Sequence, residues 1–289
     1  MNTLRFGFAI ILLLCPVLLG FGADPLATDS IQEQARPRVL VTNDDGIDSP
    51  GLVTLVKELS KSFEVFVSAP AGNRSGASHS VTFYAATMLA KETKIEGAVK
   101  AVSLDATPAD AAHYGILQLS GETPFDLLIS GMNSASNVGD ISHLSGTVGA
   151  AMEGARQGIP SMAVSLGTKD LPAAAAFAHQ FALQWLERGA SAEVVYSLNI
   201  PHARDGEWKG VRPATMGGNY LQVREYRELE KTPEGAKMRG RLLFIREHPE
   251  ASDSAYFEEG YITVTPLRFD WTDQNALAEL EDWDLSLRD

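Results

Sequence analysis

Arg38-Val39-Leu40-Val41-Thr42-Asn43-Asp44-Asp45-Gly46-Ile47-Asp48-Ser49-Pro50-Gly51 is the stretch that decides the fold. Val39 to Val41 form an apolar run that reads as a short buried strand, and Gly46, Pro50 and Gly51 punctuate a loop. Beyond it, Leu52, Leu55, Val56 and Leu59 fall at helical spacing. A strand–loop–helix unit puts its loop at the carboxyl end of a parallel sheet, where open α/β folds bind ligands. Neighbouring carboxylates there repel each other unless a cation neutralises them, and hard oxygen donors suit Mg²⁺ or Mn²⁺. An Asp-Gly turn whose acids only cap the next helix uses the same residues, and from this segment both readings stand.

Working outward, Glu64–Ser68 reads as a second strand ending at Ala69-Pro70, followed by the polar loop Ala71–Ser80. β-like runs lie near Val81–Tyr84 and Ala98–Leu104. Thr107-Pro108-Ala109-Asp110 opens a helix through Leu119, with Thr107 as cap and Pro108 in the first turn. Phe125–Ile129 is a strand, Gly131–Ser145 a loop, and Thr147–Gln157 a small-residue helix closed by Gly158. Strands at Ser161–Leu166 and Val194–Ile200 flank a helix at Leu171–Arg188. This alternation predicts an α/β fold: a three-layer, Rossmann-like, mostly parallel sheet. From about Val211 the alternation stops, and a β-rich extension runs to Thr265 with a terminal helix at Gln274–Leu287. The expected organisation is a signal peptide at 1–22, a linker at 23–37, a catalytic core at 38–210 and an extension for oligomer contacts at 211–289.

The leader expectation rests on Arg5, the apolar run Phe6–Phe21 and the small residues around Gly20-Phe21-Gly22. The apolar run is short for a membrane span. Cys15, the one cysteine, lies inside it, so cleavage leaves no thiol in the mature chain. A periplasmic or secreted protein is expected. A net charge of −13 argues against an extended nucleic-acid surface, which needs a basic footprint. A small phosphate ligand stays compatible if a metal and backbone amides supply positive field locally.

The loops after the first, second and later strands are rich in small oxygen-bearing side chains, and a parallel sheet gathers such loops along one edge. The later loop, Ser130–Asp140, places Asn133 and Asn137 four residues apart among glycines and leads into Ser145-Gly146-Thr147 and a helix. Free amides at that helix start, with the Ser145 and Thr147 hydroxyls, make an anion site.

Six motifs, in order, resemble the SurE survival-protein family of 5′-nucleotidases, from about Arg38 to Thr272. They are Asn43-Asp44-Asp45-Gly46 with Pro50-Gly51; Ala69-Pro70 with Asn73–Ser78; and Thr107-Pro108-Ala109-Asp110. Ser130-Gly131-Met132-Asn133 with Asn137–Asp140, Ser145–Val148 running to Met152-Glu153-Gly154, and Glu259–Leu267 complete the set. The resemblance implies one divalent metal ion, Mg²⁺ or Mn²⁺, held by Asp44, Asp45, Ser75 and Asn133. It implies phosphate contacts from Asn137, Ser145, Gly146 and Thr147, a nucleoside monophosphate substrate, and a homodimer or homotetramer. The chain departs from the family at Ile141–Leu144, where relatives more often carry a tyrosine before the serine, and at Ser134-Ala135-Ser136, where a Gly-Pro pair is common. Both changes flank the substrate and bear on base preference. An export leader also departs from the family's usual cytoplasmic setting.

The expected chemistry is in-line attack on phosphorus by a water that Asp44 or Asp45 orients, with the Gly146 and Thr147 amides stabilising equatorial oxygens. A carboxylate nucleophile forming an aspartyl-phosphate is the competing route. His79 and His143 stand in the right loops to protonate a leaving group, and Tyr84, Tyr220 and Trp208 are candidates to stack on a base. The rival functions are an exported non-catalytic binder of nucleotide or metal, and the same phosphatase acting on polyphosphate or other phosphomonoesters. A response-regulator receiver is excluded by length and by the lack of a phosphoacceptor Asp and Lys after the third and fifth strands.

Overall fold

A six-strand parallel block carries the molecule. The computed structural model describes residues 35–84, 87–203, 207–283 and 285, so the expected signal peptide and most of the linker lie outside the described residues. The strands are β1 (Arg38–Thr42), β2 (Glu64–Pro70), β3 (Ala90–Thr93), β4 (Ala98–Leu104), β5 (Leu127–Asn133), β6 (Ser161–Leu166) and β7 (Val195–Ile200). β8 (Val211–Pro213), β9 (Leu221–Thr232), β10 (Gly235–Phe244) and β11 (Ile262–Leu267) follow. The main sheet has the order β3-β4-β2-β1-β5-β6-β7-β11-β8, and β4 through β7 in that order are mutually parallel. Only β3 on β4 and β11 on β7 pair antiparallel within it. The expected three-layer, mostly parallel sheet is what the chain forms.

Alternation along β1 assigns the layers. Val39 and Val41 pack with Leu52, Leu55 and Val56 of α1 (Pro50–Leu59) and Ala174, Ala178 and Ala182 of α4 (Leu171–Glu187). Leu40 points to the opposite face, with Ala111 and Ala112 of α2 (Pro108–Leu119) and Ala150 of α3 (Gly146–Arg156). Each fully buried leucine or valine contributes about 1.5–3 kcal/mol of gross burial, which holds β1 in register against β2 and β5. Arg38 stacks its guanidinium 4.7 Å from the Phe66 ring centre and 5.0 Å from that of Phe125, closing the lower end of the sheet.

Three local expectations change. Val81–Tyr84 is not a strand, because the Thr82 and Phe83 amides and the Thr82 hydroxyl donate to the Asp110 carboxylate. The expected loop at Gly131–Ser145 begins later, since β5 continues to Asn133, and it holds a short 3-10 helix at Gly139–Leu144. A helix in the tail, α5 (Asp253–Glu259), is capped by Ser252, and the terminal helix α6 spans Gln274–Glu281. The residues after 210 supply β8 and β11 to the main sheet, while β9 and β10 form a separate antiparallel hairpin. Among the described residues no helix is long and apolar enough to cross a membrane.

Candidate active site

The sheet reverses its direction of growth at β1. From β1 the chain adds β2 and β4 on one side and then returns to place β5 on the other, so the loops after β1 and β5 diverge around a crevice. Asp44 and Asp45 lie on the first of those loops. Its shape is set by Asn43, whose buried side chain accepts from the Gly46 amide (3.1 Å) and donates to the Gly46 carbonyl (2.9 Å) and the Ser49 hydroxyl (2.8 Å). Gly46 sits at φ +106°, a conformation that favours glycine. Ser49 then caps α1.

The two acids face different neighbours. Asp44 is buried, with 3 % of its surface exposed, and receives the Thr147 hydroxyl at 2.6 Å on Oδ1 and also the Thr147 backbone amide. Burial pushes its carboxyl above the ordinary range, the Thr147 hydroxyl pulls it partly back, and repulsion from Asp45 adds to the rise. Asp45 accepts the Ser134 amide (2.8 Å), the Ser134 hydroxyl (3.2 Å) and the Asn73 side-chain amide (3.2 Å). The Arg74 amide donates to the Asp44 carbonyl at 2.7 Å. Four segments, after β1, β2 and β5 and at the start of α3, thus meet on one pair of carboxylates.

The start of α3 approaches so closely that only glycine fits: a Cβ on Gly146 would lie 2.9 Å from Asp44 Cβ and 3.1 Å from its Oδ2. Ser145 caps this helix, its hydroxyl accepting from the Val148 amide at 3.1 Å. Ser75 is exposed, and its amide donates to Asn73 Oδ1, one link from Asp45. Asn133 is buried beside Ser134 and spends its side-chain nitrogen on the Ala135 carbonyl (2.6 Å), so its carbonyl oxygen is the atom it can offer a cation. Asn137 lies deeper: its backbone amide donates to Asn199 Oδ1 (2.7 Å) and its side-chain nitrogen to Ser165 Oγ (2.8 Å). Hydrogen bonds join Asp44 to Thr147 directly, whereas Asn137 is anchored to the ends of β6 and β7.

Asn73 and Ser134 are contacts that sequence reasoning did not select. The signal available was a serine immediately after Asn133 and an asparagine two residues before Ser75. Among the described residues, no group of three or more His, Cys, Asp or Glu side chains is placed to hold a metal. The donor set here is instead two carboxylates with neutral hydroxyl and amide oxygens, which suits a hard divalent cation. The raised Asp44 carboxyl fits the same view, because a buried acid beside another acid gains most from a bound cation.

Residues 39–223 match the family model described as Survival protein SurE. The chain belongs to the SurE family. It is 38% identical over 251 residues to "5'-nucleotidase SurE" of Clostridium beijerinckii, covering 84% of this chain and 97% of that one. It is 34% identical to the protein of the same description from Rhodopirellula baltica, over 86% of this chain and 99% of that one. The SurE protein crystal structure from Aquifex aeolicus superimposes with a TM-score of 0.70 at 33% identity, covering 85% of this chain and all of that one. The SurE matches span the loops that carry Asp44, Ser75, Asn133 and Ser145.

Proposed function

We propose that this SurE-family chain is a metal-dependent 5′-nucleotidase that hydrolyses nucleoside 5′-monophosphates to nucleoside and phosphate. The observation that carries the reading is the buried Asp44, repelled by Asp45 and capped by the first turn of α3. Relatives described as 5'-nucleotidase SurE, aligned over most of the chain, support the same activity. Asp44, Asp45, Ser75 and Asn133 are the residues that would hold one Mg²⁺ or Mn²⁺, which when bound polarises the phosphoryl group and lowers the pKa of a coordinated water.

The chain's own groups divide the remaining work. Asp45, fixed by Ser134 and Asn73, orients the attacking water in line with the leaving oxygen. Thr147 holds Asp44 in one rotamer, which leaves the Ser145 hydroxyl and the Gly146 amide as the donors of this turn for the phosphoryl oxygens. Asn137 supports this turn through its carbonyl, which accepts the Ser142 hydroxyl at 2.7 Å. A homodimer or homotetramer is supported by the exposed apolar side chains Val223, Tyr226, Leu229, Met238 and Leu242 on the β9–β10 hairpin. The N-terminal leader supports a periplasmic or secreted location, which cell fractionation tests.

The deciding experiment measures phosphate release from a panel of nucleoside monophosphates and other phosphomonoesters with added Mn²⁺ or Mg²⁺. Wild type should turn over nucleotides, and Asp44→Asn should lose at least about a hundredfold in kcat. Binding without turnover would make the chain a nucleotide carrier instead.

A further inference from the structure

Two cavities adjoin the site, and they differ in what lines them. One, about 640 Å³, is walled by Asp45, Gly46, Ser134, Lys169 and neighbours, with no aromatic ring. The other, about 240 Å³, opens on Ser145 and is walled by His79, His143, Phe269, Trp271 and Arg268. The tail after β11 supplies both large rings. Each meets an imidazole from a site loop: His79 and Phe269 are 6.0 Å apart at 75°, and His143 and Trp271 are 5.7 Å apart at 88°. Trp271 keeps 75% of its surface exposed and Phe269 43%, so broad apolar ring surface borders an anion-binding helix start.

The cleft is also held firmly. The Ser78 amide donates to the Leu144 carbonyl and its hydroxyl to the His143 carbonyl, clamping the two site loops together. Glu153 fixes His79 through Nε2 at 3.1 Å. None of the aromatics considered from sequence lines it. Trp208 donates its indole N–H to the Pro201 carbonyl, Tyr220 is buried against Phe244 and His248, and Tyr84 lies against Phe83.

We infer that the cleft bordered by Phe269 and Trp271 is the leaving-group subsite, where the planar base of the nucleoside stacks while its phosphate lies at the start of α3. This inference rests on the 5′-nucleotidase reading and goes further by locating the base. Stacking on ring faces is tolerant of base identity, so the subsite predicts a broad range of purine and pyrimidine monophosphates. Its polar rim, His79, His143 and Arg268, then supplies hydrogen-bonding edges that tune preference among them.

The test compares kcat/KM for adenosine 5′-monophosphate and ribose 5-phosphate in the full chain with Mn²⁺. Trp271→Ala should lower the ratio between the two about tenfold, mainly through KM, the low end of what base–aromatic stacking contributes. Trp271→Phe should restore most of it, and Trp283→Ala, at an exposed tryptophan outside the cleft, should leave the ratio unchanged. As a readout independent of any variant, adenosine should compete with adenosine 5′-monophosphate in wild type. An unchanged ratio in Trp271→Ala, an equal fall in Trp283→Ala, or no competition by adenosine overturns the subsite while nucleotide hydrolysis persists. Absence of phosphate release from adenosine 5′-monophosphate by wild type overturns both readings at once.

Discussion

Glu153 lies on α3 with 1 % of its side chain exposed, and five hydrogen bonds end on its two oxygens. His79 and His113 approach at 3.1 and 2.8 Å, Arg156 grips both oxygens at 2.8 and 2.6 Å, and Gln157 adds a contact at 3.1 Å. Burial alone pushes this carboxyl up, but the bonds from His79, Arg156, Gln157 and His113 outweigh it and hold it well below the usual range. Glu153→Gln keeps the shape and one acceptor, and turns the other oxygen into a donor facing donors. About two charge-assisted bonds are lost at roughly 1.5–3 kcal/mol each. Part of that loss is offset because a buried charge no longer has to leave water. A net destabilisation of about 3 kcal/mol follows, which lowers Tm by roughly 6–12 °C for a chain of this size.

The pH dependence has a definite sign. The folded carboxyl titrates below its ordinary value of 4.5, so its contribution is whole above that value and fades as pH falls beneath it. The gap between wild type and Glu153→Gln, measured by thermal and urea denaturation followed by circular dichroism, should therefore narrow from pH 5 to pH 3. A gap under about 1 kcal/mol at pH 7, or one that widens in acid, would refute the reasoning.

Asp44 has the opposite sign, since burial and Asp45 raise its carboxyl and stability should rise as pH falls toward its ordinary range. In EDTA at pH 7, Asp44→Asn should be more stable than wild type; an equal or lower Tm would show that the acid is not strained. Mn²⁺ at a hundredfold its Kd should stabilise wild type by about 2.7 kcal/mol and Asp44→Asn far less, read by thermal shift. Gly149→Ala puts a Cβ 2.2 Å from the Ser78 carbonyl oxygen, so the loop carrying Ser75 must move off α3. It should cost about 1–3 kcal/mol in denaturation and lower kcat/KM by more than that loss of folded protein accounts for.

Much of this molecule was legible because its signals are local. Apolar runs of strand length, helical spacing such as Leu52, Leu55, Val56 and Leu59, and Thr107 as cap with Pro108 in the first turn each act within a few residues. Capping and periodicity therefore placed most core elements. Val81–Tyr84 misled because its β-like composition was overruled by a carboxylate 28 residues away, Asp110. The start of the Asn133 loop was misplaced because Gly131 looks like a turn residue, yet Gly131 and Asn133 pair with Val164 and Ser165 of β6, with an irregularity at Met132 between them. Phe269 and Trp271 carried no local signal at all, since their meaning depends on lying beside His79 and His143.

By itself the sequence determined the layered α/β core and the family, both of which follow from short-range pattern and ordered motifs. Only the tertiary structure decided that β1 is the strand where the sheet reverses, and that Asn73, Ser134 and Thr147 converge on Asp45 and Asp44 there. The physical reason is that strand order is settled by long-range packing on both faces of the sheet. No stretch of a few residues records which loops that packing will bring together.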